Sequence, residues 1–400
     1  MKPLEGIKVV ELSTMLAGPM TARILAEWGA DVIKVETPNG DAWRKQAGTT
    51  VSPCTEVANP NFDQQNLNKR FIALNQRTDA GHEAMMKLLE SADVFLTNFR
   101  VQALEGMGLA YEQLKDRFPR LIHASVLGYG AEGPDKDRPG YDYTAFFSRS
   151  GMMADLPPAG AGPLVPIGGV GDHSVAVALA GGIAAALYRR SVTGQGDKVD
   201  VSLLQSAIFI LCTGILNGFN GRVLPRTRYD CGHAGSNTYQ GSDGEWFYLA
   251  CIDYRRFPEL CEIIGVPEIA KDPKYSTNKE YYANRTELTK IFDDIFNKKP
   301  VSYWHELFEA HDMPHEVLRH FKDVPYDPQA QANHYTYFHE YSDGTKTVFA
   351  NGPVHFGSVD PANIPCRPSG QIGRDTEAIL GELGYSAEDI KEMYRAGNIL

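Results

Sequence analysis

"IKVVELSTMLAGPMTARILAEWGADVIKVE", residues 7–36, decides the fold. Its two ends, 7–12 and 31–36, are short runs rich in Val and Ile, side chains that fit a pleated surface. Between them, residues 17–30 carry apolar side chains at helical spacing, with Pro19 near the first turn, where its missing N–H costs nothing. Strand, helix and strand in so short a span make a βαβ unit. The alternation continues: "FIALNQ" (71–76), a helix over 80–92, "DVFLTNF" (93–99), a helix over 111–118 and "LIHASVLGYG" (121–130). Such a chain builds an α/β domain with a mostly parallel sheet covered by helices. Ligands of these sheets lie at the carboxyl ends of the strands, which draws attention to the loops after Leu12, Glu36, Asn98 and Gly130.

Further along, helices are expected over 174–190 and 203–216, with the strand "DKVDVSL" (197–203) between them. Beyond Asn220 the character changes. A hairpin around Ser242-Asp243-Gly244 precedes amphipathic helices over 255–264, 287–296 and 302–310. A second hairpin (337–356) and a helical tail from Asp375 follow. These shifts divide the chain into a large domain (1–220), a smaller α+β domain (221–325) and a segment (326–400) returning to the large domain.

With 400 residues, 43% hydrophobic and 22% charged, the chain can bury a large core. A net charge of −11 argues against a nucleic-acid partner, which needs a basic surface. No run of 18 or more apolar residues appears, and the Ala-rich stretch 175–187 is too short to span a bilayer, so no membrane partner is expected. The first residues enter a strand pattern directly, without a secretion signal, and the six cysteines form no C-x-x-C pair. Both features fit a reducing cytoplasm.

Several chemistries are missing from the motifs. "ELSTMLAGPM" after the first strand lacks G-x-G-x-x-G, no G-x-x-x-x-G-K-[ST] occurs, and G-x-S-x-G is absent. His311, His315 and His320 in "HDMPHEVLRH" suggest a metal site superficially. Pro314 interrupts the helix that would align the first two, and no carboxylate has an obvious spacing to them, so no metal is expected. Asp172 is different. In "IGGVGDHSVAVALAGGIAAALYRR" (167–190) it stands before a long run of small and apolar residues with no cation until Arg189. It reads either as a helix N-cap or as a carboxylate that does covalent chemistry.

The chain resembles the class III CoA-transferases, whose members include formyl-CoA and carnitine CoA-transferases. The likeness runs through "LEGIKVVELS", "AGP" (17–19), "LAEWGADVIKVE", "NKR" (68–70), "ADVFLTNFR", "LGYGAEGP", "RPGYDYTA", "GDHS" around Asp172, "RRSVTGQGDKVDVSLLQSA" and "GQIGRDTEAILGELGYSAEDI". Within the family, "TNFRVQALEGMGLAYEQLKDRFP" and "PGYDYTAFFSRSG" are most similar to 2-hydroxyisocaproate and phenyllactate CoA-transferases of amino-acid fermentation. The resemblance implies a Rossmann-like large domain, a homodimer of interlocked chains, an active site between the two domains, acyl-CoA and carboxylic acid substrates, and no permanently bound cofactor. It makes Asp172 the nucleophile, passing through a mixed anhydride and an aspartyl-CoA thioester. A helix start would help keep that carboxylate ionised.

The resemblance also places Met15, Leu16 and Ala17 against CoA, with apolar residues where relatives carry polar ones, and adds Leu74, Asn98 and Phe99 as CoA contacts. Arg100 is a phosphate ligand by the same likeness. Gly106 replaces an arginine of formyl-CoA transferases, which shifts phosphate binding toward Lys136 or Arg138. Tyr141 and Asp142 match an active-site tyrosine and its neighbouring acid. The glycine-rich flap of the family has no clean equivalent; "CGHAGSNTY" (231–239) is the nearest candidate and reads as an interdomain loop, and Met15, Phe146, Phe147, Met152 and Met153 read either as helix core or as the lining of an acyl pocket. Two rival readings stay open. A 2-methylacyl-CoA racemase of the same family needs a histidine where this chain has Tyr141, a poor base at neutral pH. A non-catalytic acyl-CoA-binding protein needs no acid at the helix start.

Overall fold

The structure, a computed structural model, describes residues 1–46, 51–230 and 232–400. Six strands, β1 (Lys8–Leu12), β2 (Asp31–Glu36), β3 (Arg70–Ala73), β4 (Val94–Thr97), β5 (Ile122–Leu127) and β6 (Lys198–Ser202), form one sheet in the order β3-β2-β1-β4-β5-β6. Every pairing in it is parallel. The order reverses between β1 and β4, which pair with Val9 opposite Val94. Such a reversal opens a crevice at the carboxyl ends of the two strands, because their following connections leave toward opposite faces.

The central strands are nearly continuous apolar runs because both faces are covered. Val9, Val10, Leu12, Val32, Val35, Phe95 and Leu96 are all buried. Two charges interrupt these runs, Glu11 in β1 and Lys34 in β2, and the register sets them side by side. The tail closes over β3: Phe71 N donates to Asp375, Leu74 bridges to Ile399, and Ile379, Leu380 and Met393 join the core beside Leu74 and Met85.

The helix expected over 174–190 runs instead from Val170 to Thr193. It starts earlier because Gly169 takes a left-handed φ of 95°, turning the chain into the helix before Asp172. Asp172 is therefore a first-turn residue and not the N-cap. At 24 residues this helix is long and apolar enough to cross a bilayer by length and composition, contrary to the shorter run expected. It packs on the helix Ala17–Glu27 and on β5 and β6, as a core helix. Gly194, at φ 76°, ends it.

The chain forms two compact units. One comprises Met1–Gly151, Pro166–Ile215 and Pro325–Leu400, and the other Met152–Val165 with Leu216–Val324. The second unit contains an antiparallel sheet of β7 (Ser236–Gln240), β8 (Trp246–Ala250) and β9 (His315–Val317). Tyr239, Phe247, Phe292, Phe296, Trp304 and Phe308 fill its core with mostly edge-to-face rings. The strand β9 was not expected, since three residues next to Pro314 give no periodicity. In the first unit β10 (Thr336–Glu340) and β11 (Lys346–Ala350) make the second hairpin.

Candidate active site

The loop after β1 and the loop after β4 meet at the point where the strand order reverses. Thr14 N donates to Asn98 Oδ1 at 3.0 Å, and Asn98 Nδ2 returns a hydrogen bond to Thr14 O at 2.6 Å. Two loops far apart in sequence are thereby locked as one surface carrying Met15, Leu16, Ala17, Asn98, Phe99 and Arg100. Met15 sits at φ 67°, a left-handed backbone that a non-glycine residue adopts only when its surroundings hold it there.

The holding group is Asp41, which sequence reasoning missed. Its carboxylate accepts from Met15 N at 3.2 Å and from Trp43 N at 2.9 Å, and it pairs with Lys34 Nζ at 3.1 Å. Lys34 also reaches Glu11 Oε1 at 2.9 Å and Ser13 O at 2.8 Å, while Lys69 reaches Glu11 Oε2 at 2.7 Å and Pro19 O at 2.8 Å. All four side chains are fully buried, and burial, opposed by Glu11, pulls the Lys69 ammonium down to about 7. Burial alone would raise the Glu11 carboxyl, yet the two ammonium groups hold it below the ordinary range. Burial likewise opposes the charge of Lys34, but Glu11 and Asp41 keep its ammonium protonated well above the usual lysine range. The available signal was a charge between apolar neighbours in the interior of each of two strands, Glu11 between Val10 and Leu12 and Lys34 between Ile33 and Val35.

Around Asp172 the balance is opposite. Asp142, at the start of a π-helical turn Asp142–Ser148, accepts from Gly169 N at 2.6 Å and Gly171 N at 2.9 Å. Asp142 thus caps the long helix, and a Cβ on Gly171 would lie 2.3 Å from its Oδ1. With the helix donors taken, Asp172 is left half-buried beside another carboxylate. Burial first, and Asp142 second, push its carboxyl up to about 7. This corrects the expectation that the helix start would keep it ionised. The raised value of Asp142 has burial as its main cause, tempered by the backbone N–H groups of Gly169, Gly171 and Asp172. Next to Asp172, His173 carries a buried Nε2 without a hydrogen-bond partner, and burial lowers its pKa.

The remaining candidates scatter more. The side chain of Leu74 is wholly buried in the core cluster. Arg100 is exposed at the start of the turn Val101–Gly106. The Gln102 amide donates to Asp137, which ties the loop carrying Lys136 and Arg138 to that turn. Arg138 lies 4.0 Å from Asp135 and over the Tyr129 ring, whereas Arg149 binds Asp135 more closely, at 2.8 Å. Tyr141 is exposed, and its backbone N–H donates to Thr144. Phe99 lines a cleft of about 410 Å³ with Val101, Leu104, His123, Ser125 and Lys198. Phe146 and Phe147 are core residues, while Met152 and Met153 belong to the second unit. Of the segment 231–239, Cys231 lies outside the described residues and 236–239 are strand β7 rather than loop, with Gly235 N donating to Tyr281 Oη at 2.7 Å.

One compact unit thus carries both a carboxylate pushed up toward neutrality by burial and the crevice where the strand order reverses. The family model of CoA-transferase family III matches residues 4–376. The chain is 39% identical to the (R)-2-hydroxy-4-methylpentanoate CoA-transferase of Clostridioides difficile, over 97% of each protein. It is 35% identical to the cinnamoyl-CoA:phenyllactate CoA-transferase of Clostridium sporogenes, over 99% of this chain and 97% of that protein. The crystal structure of a CAIB/BAIF family protein from Brucella suis superposes with a TM-score of 0.81 at 31% identity, covering 96% of this chain and 99% of that one.

Proposed function

The chain belongs to CoA-transferase family III, is a class III CoA-transferase, and from that premise we propose that Asp172 is its nucleophile and a 2-hydroxy acid its acceptor. The observation that carries the first part is a carboxylate relieved of capping duty by Asp142, poorly hydrated and without a cation, since such an oxygen is a stronger nucleophile than a solvated one. Asp172 attacks the donor thioester carbonyl; the C–S bond breaks, giving a mixed anhydride and CoA thiolate. The thiolate attacks the aspartyl carbonyl, forming aspartyl-CoA thioester and releasing the donor acid. An acceptor carboxylate then attacks that thioester, and the thiolate, freed a second time, attacks the acceptor's acyl carbon and restores Asp172. Each bond broken resembles the bond formed, so no step needs ATP, a metal or a resident cofactor.

In this reading the surface of Met15, Leu16, Ala17, Asn98 and Phe99 takes the nucleotide and pantetheine through main-chain and apolar contacts. Arg100, Lys136 and Arg138 supply the charge for phosphates. The acid side chain follows the two relatives, which act on a branched and an aromatic 2-hydroxy acid by name. The chain works as a homodimer: Tyr188 and Val192 of the long helix and Ile208, Phe209 and Ile210 nearby are exposed apolar side chains, Phe209 to 79%, on one compact unit. The test is a panel of carboxylic acids offered with one acyl-CoA donor and read by mass spectrometry. 2-Hydroxyisocaproate or an aryllactate is expected to lead; formate, oxalate or a dicarboxylate in first place overturns the substrate class alone. Trapping an aspartyl-CoA thioester on the peptide containing Asp172 with hydroxylamine tests the nucleophile.

A further inference from the structure

The second compact unit holds a side-chain cluster that CoA exchange does not use. His305 and Glu309 lie one helical turn apart on the helix Val301–Ala310, so both side chains leave on one face. His315, the first residue of β9, comes up against them, and the ligand-capable atoms of all three lie within 4.8 Å of one another. His315 was singled out in the sequence with His311 and His320; the fold instead gives it partners from the preceding helix.

The hydrogen bonding sets the state of each ring. His315 Nδ1 is 2.8 Å from Met313 O, and a carbonyl only accepts, so Nδ1 carries the hydrogen and Nε2 keeps its lone pair. That lone pair points at His305 Nδ1, 2.8 Å away. An imidazole held by a backbone carbonyl through its far nitrogen is the arrangement that orients metal-ligating histidines. The Phe308 ring, 5.2 Å from that of His315, braces it from the side. Two nitrogens bound to one tetrahedral ion at ~2.0–2.1 Å stand roughly 3.3 Å apart, so the rings need open by only about half an ångström once His305 shifts its proton to Nε2.

We propose that His305, Glu309 and His315 form a binding site for a zinc-class divalent ion, with one position left to water. Two imidazoles and one carboxylate suit zinc or its borderline neighbours, whereas magnesium and calcium prefer all-oxygen shells. The ion clamps the three-residue edge strand β9 to the helix that packs on it. The site is independent of the exchange reaction, so its failure leaves the transferase reading intact.

The experiment uses the full chain, stripped with chelator and titrated with Co²⁺ and then Zn²⁺. One equivalent of Co²⁺ is expected to develop visible absorption, Zn²⁺ to displace it, and Zn²⁺ to raise the melting temperature. His305→Gln, which leaves the β9 side of the cluster untouched, is expected to weaken Zn²⁺ binding at least ~10-fold, and Glu309→Gln by a smaller factor. Asp172→Asn is expected to bind the ion as wild type does. Absence of saturable binding below ~100 μM, undiminished binding in His305→Gln, or an intense thiolate charge-transfer band marking capture by cysteines such as exposed Cys54 and Cys212, overturns the proposal.

Discussion

Two charged clusters in the first compact unit make opposite uses of burial. Under the loop after β1, Glu11, Asp41, Lys34 and Lys69 are all inside the protein, and each acid has a cation within 3.1 Å. At the start of the long helix, Asp142 and Asp172 share a place with no paired cation among the described residues, and Asp142 takes the backbone donors of Gly169 and Gly171. Matched charges hold a backbone in place, here the strained Met15 turn. An unmatched carboxylate stores unfavourable energy that a reaction can release. On the proposed reading the first cluster is architecture and the second is the chemistry, although the first contains more ionisable groups.

The comparison breaks most visibly if Asp172 can be removed without harm. Asp172→Ala and Asp172→Asn are each expected to lower kcat/KM by more than ~10³-fold, because in the proposed mechanism the Asp172 carboxylate forms the covalent intermediate. Asp172→Asn should at the same time stabilise the fold at pH 8. A carboxyl raised from its ordinary value to about 7 favours the protonated folded state; its contribution to stability is complete below about pH 4 and is lost as pH rises through 7. After discounting for partial exposure, the gain is about 1–2 kcal/mol, read as a higher melting temperature that vanishes below pH 4.

Next in size, Lys34→Ala should destabilise by about 3–5 kcal/mol, since it leaves Glu11 and Asp41 buried with too little positive charge. Denaturant titration measures it, and a loss under 1 kcal/mol would erase the contrast between the clusters. Gly171→Ala forces a methyl to within 2.3 Å of Asp142 Oδ1 and of Phe146 Cγ, and should cost about 1–3 kcal/mol while lowering activity. The smallest effect sharpens the comparison. Asp172 must be ionised to attack, so kcat/KM should fall as pH drops through about 7; Asp142→Asn removes the neighbouring negative charge and should shift that limb to lower pH. An unmoved limb would leave burial alone as the cause.

Much of this was legible in the chain. Val-rich and Ile-rich runs separated by helical spacing identify parallel strands whatever lies around them, because both faces of such a strand must be apolar. Asp172 stood out for the same local reason, an acid ahead of a stretch with no partner. The error was to let it cap its own helix. The cap comes from Asp142, remote in sequence, once a left-handed Gly169 has moved the helix start forward. The core packing of Leu74 was not legible either, because it depends on the C-terminal tail, which lays Ile399 beside it. His315 looked like the middle of a histidine run and proved to face His305 and Glu309.

Local pattern therefore determined the strands, the helices and the residue types able to carry the reaction, since backbone geometry and side-chain periodicity act over a few residues. Tertiary structure alone decided the strand order that opens the crevice, the pairing of Glu11 with Lys34 and Lys69, and which of two aspartates spends its oxygens on the helix. Those outcomes depend on distances between groups far apart in the chain, and desolvation and charge act through space.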